Sequence, residues 1–354
     1  MITGTPLKDV LIDRIRAVGP IRLSDYMAEC LMHPQYGYYA TRDPLGAQGD
    51  FTTAPEMTQM FGELLGLSLA QAWMDQGAPK RFALAEAGPG RGTLMADLLR
   101  ATRRVPGFHD ALELHLVEAS PALRRKQREL LGDATWHDTV DTLPEMPLYF
   151  IANEFFDALP IRQFIREGDV WRERLVGFEN GTLCYGLSAA VPQQALAHRL
   201  QDTQEGDLVE ICEAAAPIVN EIGKRISQHG GAALIIDYGD WRSLGDTFQA
   251  LKAHQEVDAL DVPGEADLTA HVDFEALCMA TPSKFSRVTP QGVFLERLGI
   301  TTRAQTLAAL MEPVTMEEHI AAHRRLTHPD EMGNLFKVVA FYPEGATPPA
   351  GVEA

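Results

Sequence analysis

Cysteine is scarce in this 354-residue chain: there are 4, at Cys30, Cys184, Cys212 and Cys278, far apart and never paired as Cys-x-x-Cys. That excludes a zinc ribbon or a thioredoxin-like redox pair and leaves buried free thiols in a reducing compartment. Positive charge is also short, with 31 Lys and Arg against 49 Asp and Glu and a net charge of -18. Nucleic-acid phosphates need a basic face, so no nucleic-acid partner is expected. An acidic surface serves solubility, or a basic partner. No apolar run reaches the roughly 18 residues of a membrane span, so no membrane insertion is expected. Met1 to Pro20 contains acidic residues and no long apolar core, unlike a secretory signal or an Arg/Ser-rich transit peptide. The cytoplasm is therefore the expected location. No His/Asp/Glu set has metal-ligand spacing and no Gly-x-Ser-x-Gly elbow occurs, so neither a metal nor an esterase serine is expected.

What is present is alternation. Apolar runs at Arg81–Ala87, Leu112–Glu118, Thr135–His137, Leu148–Asn153 and Ala232–Asp237 read as strands. Helical stretches lie between them, at about Gly92–Arg104, Pro121–Leu131 and Glu205–His229. Such alternation predicts an α/β fold: a mostly parallel sheet covered by helices, with ligands at the carboxyl ends of the strands. Residues 1–80 read as a helical extension over the cofactor site, including a helix ending near Met32 and another over Glu56 to Asp75. Residues 81–343 form the main domain. Insertions fall at about 163–190, with turn signals at Glu167-Gly168-Asp169 and Glu179-Asn180-Gly181 marking antiparallel strands, and at 241–269, which reads as irregular. A final strand at Leu335–Tyr342 precedes a Pro/Gly/Ala tail, 344–354, expected to be disordered.

The chemistry concentrates at the strand ends. Glu86-Ala87-Gly88-Pro89-Gly90-Arg91-Gly92-Thr93 follows the first strand and opens a helix. Glycines there let a ligand lie against backbone N–H groups at a helix N-terminus. Dinucleotide enzymes space theirs as G-x-G-x-x-G. Here the spacing is G-x-G-x-G with a carboxylate two residues ahead, which resembles motif I of class I S-adenosylmethionine (SAM) methyltransferases. Glu118 ends the second strand, where an acid accepts hydrogen bonds from ribose hydroxyls; a helix N-cap is its other reading. Asp138, after the third strand, suits an adenine amino contact or an ordinary turn. Asn153-Glu154-Phe155-Phe156-Asp157 ends the fourth strand. Two acids and an amide beside two aromatics suit a cationic acceptor held away from water, although Asp157 also fits a helix cap. Gly49 to Glu56 contains Asp50, Thr52 and Thr53, small polar residues able to fold over a cofactor, while Thr53 and Glu56 also read as a capping pair. His271 and Asp273 are further candidates for the pocket lining.

These segments, with His33-Pro34-Gln35-Tyr36-Gly37-Tyr38-Tyr39, Asp237-Tyr238-Gly239, Asp267 to Phe274 and Gly333 to Phe336, together resemble the MidA-like family of SAM-dependent methyltransferases. The likeness spans nearly the whole chain; Ala87 departs from it, at a position where Leu is more usual. The resemblance implies a class I fold with seven strands, the last antiparallel, and SAM as cofactor, bound by Glu86, Gly88, Gly90, Gly92 and Glu118. Its mitochondrial members assist complex I assembly and dimethylate an arginine of a complex I subunit symmetrically. The acceptor it implies here is a protein substrate, such as a complex I subunit, with Asn153, Glu154 and Asp157 as the catalytic candidates. A SAM-binding assembly chaperone and a small-molecule methyltransferase are the alternatives.

Overall fold

A computed structural model describes residues 5–41 and 53–354. Asp50 and Thr52, two expected cofactor contacts, lie outside the described residues. The chain divides into two compact units. One holds the described part of 52–156 with Ala216–Trp241 and Phe274–Ala354; the other holds the described part of 1–51 with Asp157–Ala215 and Arg242–Asp273.

The first unit is built on a large sheet. Across it the strands run Thr135–His137, Leu112–Val117, Phe82–Ala87, Leu148–Asn153, Gly231–Asp240, Phe336–Tyr342 and Lys284–Phe285. The first five pair in parallel. Phe336–Tyr342 runs antiparallel to Gly231–Asp240 and carries Lys284–Phe285, also antiparallel, on its far side. Phe82–Ala87 and Leu148–Asn153 are buried along their whole length. This explains why they read as continuous apolar runs rather than as alternation. Chain order reverses at Phe82–Ala87, which has the second strand on one side and the fourth on the other. That reversal opens a crevice at the carboxyl ends.

Two helices fix the glycine turn against this sheet. Thr93–Thr102 is rich in strong helix formers and buries Leu94, Met95 and Leu98. It packs on Gln59–Asp75, and the contact is close because Gly62 and Gly66 carry no side chain. A Cβ at Gly62 would lie 2.7 Å from the Leu94 carbonyl oxygen, and one at Gly66 2.6 Å from Leu98 Cγ. At the opposite end of the first strand, Trp73, Phe82, Phe108 and Tyr149 pack edge-on or tilted at 4.9–5.9 Å between centroids. Burying each such ring is worth about 1.5–3 kcal/mol.

The second unit has an antiparallel sheet in the order Ile21–Arg22, Val170–Glu179, Arg162–Glu167, Leu208–Ile211, with Thr182–Leu187 on Val170–Glu179. Its hairpin turns fall where Gly168, Asn180 and Gly181 take φ of 60°, 50° and 87°. Helices Pro6–Val18 and Leu23–Met32 bury Leu7, Leu11, Ile15, Tyr26 and Met27 against Val176 and Leu268 in one cluster.

Several sequence expectations are corrected here. The helix expected over 205–229 begins at Ala215, and Leu208–Ile211 is a strand. Its Glu210 is buried and accepts from Gln163 Nε2 at 2.7 Å, so a charge interrupts what would otherwise read as an apolar strand. The stretch expected to be irregular contains a three-stranded sheet, Gln255–Val257, Gln249–Lys252 and Asp267–Thr269. Its turn uses Ala253 and His254 at φ 50° and 61°, with no glycine to announce it. The tail is ordered: Val352 is buried, and Ser68 Oγ donates to the Ala350 carbonyl at 2.7 Å. The expected boundary at 80/81 does not match the division of the chain. Residues up to 41 group with both insertions, whereas residues from 53 group with the large sheet. Among the described residues no helix is long and apolar enough to cross a membrane.

Candidate active site

The first unit gathers its polar residues where the strands end. Gly88, Gly90 and Gly92 all have positive φ, at 62°, 54° and 88°, a region only glycine enters without strain. Gly88 also leaves room for an aromatic neighbour, since a Cβ there would sit 3.0 Å from the Phe155 ring. The Gly88 N–H donates to the Val117 carbonyl at 3.0 Å, tying the turn to the second strand.

Glu86 is buried at 3% exposure, and its Oε2 has no hydrogen-bond partner among the described residues. Burial, with Glu118 opposing it electrostatically, pushes its carboxyl up to about 8. Glu118 is 9% exposed, and desolvation raises it too. The Ser120 N–H, donating to Oε1 at 2.7 Å, and Gln127 Nε2, donating to Oε2 at 3.2 Å, offset part of that. Two buried acids beside the glycine turn, one of them with an oxygen that has no partner among the described residues, form a polar site in an otherwise apolar surrounding. It suits a ligand that donates from an ammonium and from ribose hydroxyls, as SAM does.

Gln127 has no sequence signal, lying inside an otherwise charged helix. It is fully buried and joins three parts: Nε2 also donates to the Gly90 carbonyl at 2.7 Å, and Oε1 accepts from Trp136 Nε1 at 2.8 Å. Asp138 stands apart from this group. Its carboxylate is 84% exposed and pairs with Arg124 at 2.5 Å.

At the end of the fourth strand, Glu154 takes φ 50°, unusual for a residue with a side chain. Its N–H donates to the Ile236 carbonyl at 3.0 Å. Its Oε1 accepts from Asn153 Nδ2 at 3.1 Å and from the Ala54 N–H at 3.4 Å. Asn153 is buried, with Oδ1 unpaired among the described residues. Asp237, fully buried at the end of the fifth strand, accepts from the Phe155 and Phe156 N–H groups at 3.2 and 3.0 Å and so holds the turn in place. The Asp237-Tyr238-Gly239 triplet was visible in the sequence, but only pairing with the neighbouring strand gives Asp237 this role.

In the second unit, Asp157 is buried at 5% exposure and its carbonyl accepts from the Ala270 N–H at 3.0 Å. The next element is the strand Arg162–Glu167, so Asp157 caps no helix. Tyr39 donates to Asp267 Oδ1 at 2.9 Å, and burial with the nearby Asp267 and Asp157 charges pushes its phenol well up. Asp273 accepts from the Ser243 N–H at 3.0 Å, and the His271 N–H donates to Thr247 Oγ1 at 2.8 Å. Thr53 occupies an N-cap position but makes no side-chain capping bond, and Glu56 reaches Thr93 rather than back to Thr53.

The parallel sheet, the G-x-G-x-G turn and the acid ending the second strand define a class I SAM-dependent methyltransferase, whose cofactor is SAM. The chain belongs to the family described as "Putative S-adenosyl-L-methionine-dependent methyltransferase", which matches residues 64–291. It is 38% identical to the zebrafish (Danio rerio) protein arginine methyltransferase NDUFAF7, mitochondrial, over 92% of this chain and 84% of that protein. To the human (Homo sapiens) protein of the same name it is 34% identical, over 96% and 84%. A Burkholderia thailandensis protein solved with S-adenosyl-homocysteine (SAH) bound is 30% identical with a TM-score of 0.81, covering 98% of this chain and 92% of that one. The cytoplasmic expectation is overturned by these relatives, which are named as mitochondrial in fish, human and fly. The composition of residues 1–20 therefore gave no valid guide to location.

Proposed function

We propose that this enzyme methylates arginine side chains of a protein, with a respiratory complex I subunit as the acceptor. Relatives named as protein arginine methyltransferases support the acceptor class. The observation that carries the reading is Glu154, a carboxylate held at φ 50° and followed by Phe155, whose ring packs on Gly88 of the glycine turn. Glu86, Gly88, Gly90, Gly92 and Glu118 would hold the cofactor. Thr53, Asp50 and Thr52 complete the set by their places in the chain, and Asp138, exposed and paired with Arg124, joins it only by its place after the third strand. Bound SAM supplies an electrophilic methyl carbon.

Guanidinium is a poor nucleophile because its charge is delocalised and its pKa exceeds about 12. A carboxylate gripping two of its nitrogens draws positive charge toward them and leaves lone-pair density on the third. Glu154 takes that role, Asn153 steadies its Oε1, and Asp157, three residues on, is the second acid. Phe155 and Phe156, 5.2 Å apart edge to face, keep water from the reacting end.

The test is Glu154→Gln and Asp157→Asn, assayed with labelled SAM on lysate from a strain lacking the gene and read by mass spectrometry of labelled arginine. Each variant should lose about a hundredfold or more in turnover, as removal of a group acting in the transition state does. SAM affinity should stay within about twofold. Wild-type turnover in both would remove these acids from the reaction. Label recovered only in small molecules would overturn the protein acceptor.

A further inference from the structure

Glu56 lies in neither the glycine turn nor the acids assigned to the acceptor, yet its side chain reaches the turn. Its Oε1 accepts from Thr93 Oγ1 at 2.6 Å, and its Oε2 lies 3.8 Å from Arg91 Nη1. Arg91 sits between Gly90 and Gly92, and Thr93 begins the helix after them. The carboxylate is 17% exposed, so the ion pair with Arg91 is only partly screened. The same short segment, Ala54–Met57, touches Glu154 from its other end through the Ala54 N–H.

The two contacts differ in strength. At 3.4 Å the Ala54–Glu154 bond is near the outer limit of a hydrogen bond and is too weak to place the segment. The Glu56–Thr93 bond is short and charge-assisted, roughly twice as strong as a neutral one. With the Ala54 side chain fully buried in the core, the polar anchor of the segment is therefore Glu56, and the Ala54 N–H is what it positions. We propose that Glu56 is a positioning residue for methyl transfer: it clamps residues 54–57 onto the glycine turn and so holds the Ala54 N–H on Glu154, coupling the cofactor cradle to the acid that orients the acceptor. This rests on the reading of Glu154 given above.

Three variants test it in the full-length protein: Glu56→Ala, Glu56→Gln and Thr93→Val. Amide exchange at Ala54 should speed up in Glu56→Ala and Thr93→Val, and stay slow in Glu56→Gln, whose amide oxygen still accepts from Thr93. Methylation rates on the same lysate should fall about tenfold or more in the first two, the cost of a small misplacement of a catalytic group, and recover in Glu56→Gln. SAH affinity by calorimetry should change by less than about threefold, since the loss is in kcat and not in cofactor binding. Adding Glu56→Ala to Glu154→Gln should cost less than about twofold more, because residues acting through one another are not additive. Full additivity, unchanged exchange at Ala54, or a loss confined to SAH affinity overturns the proposal. A wild-type rate in Glu154→Gln alone overturns the acceptor reading and the proposal with it. A wild-type rate in Glu56→Ala beside a loss in Glu154→Gln overturns the proposal alone.

Discussion

Glu86 shows how one buried acid beside the glycine turn bears on stability. Its carboxyl rises from 4.5 to about 8 because it is buried and faces Glu118. Between those values the folded chain keeps a proton that the unfolded chain has released. Stability from this group is thus present below 4.5 and is lost as pH rises through about 8. His115 acts in the opposite sense: burial lowers it from 6.5 to about 4, so its contribution is lost as pH falls through that range. The two slopes overlap in the acid range. Glu86→Gln, which stays neutral, isolates the first. The variant's melting temperature, measured without cofactor, should decline less than the wild type's toward alkaline pH. Parallel curves would mean that Glu86 ionises as easily folded as unfolded. The same residue was legible in the sequence as the acid before the glycine turn. Its lost solvation was not, because that comes from the second strand lying alongside.

At the scale of elements, the turn is placed by a helix pair that no motif announces. Gln59–Asp75 approaches Thr93–Thr102 closely because Gly62 and Gly66 leave its surface bare. Gly62→Ala puts a methyl group within 2.7 Å of the Leu94 carbonyl oxygen and 2.9 Å of Asp97 Cβ. Neither neighbour is the end of a flexible side chain, so the helices must part. Overpacking of this kind costs about 1–3 kcal/mol, against the small gain from alanine's helix propensity. Leu67→Ala on the exposed side of the same helix should cost about 0.5 kcal/mol or less. Urea unfolding of both variants compares them directly, and equal midpoints would remove the close approach as a structural requirement. The strand Leu208–Ile211 teaches the same lesson in reverse. Glu210 broke its apolar pattern, and only Gln163 and Thr247, from distant parts of the chain, explain a buried acid there.

For the whole molecule, cofactor binding should appear as added stability, since a ligand that binds only the folded chain stabilises it by mass action. SAM at a hundred times its dissociation constant should contribute about 2.7 kcal/mol and raise the melting temperature, with NAD giving no shift. A shift with NAD and none with SAM would overturn the assignment of the glycine turn.

The sequence alone determined the α/β alternation, the parallel strands, the glycine turn with Glu86, and the acids closing the second and fourth strands. Those features are local: strand periodicity, glycine's access to positive φ, and fixed spacing are all written in contiguous residues. Tertiary structure alone decided the rest. It set the burial of Glu86, the Asp237 carboxylate under the Phe155–Phe156 turn, Gln127 joining Gly90 to Glu118, Glu56 on Thr93, and the grouping of both insertions with the first residues of the chain. Each of these depends on residues distant in sequence, whose meeting is set by sheet order and helix packing. A polar side chain carries no local mark of whether it will end in water or on a buried partner.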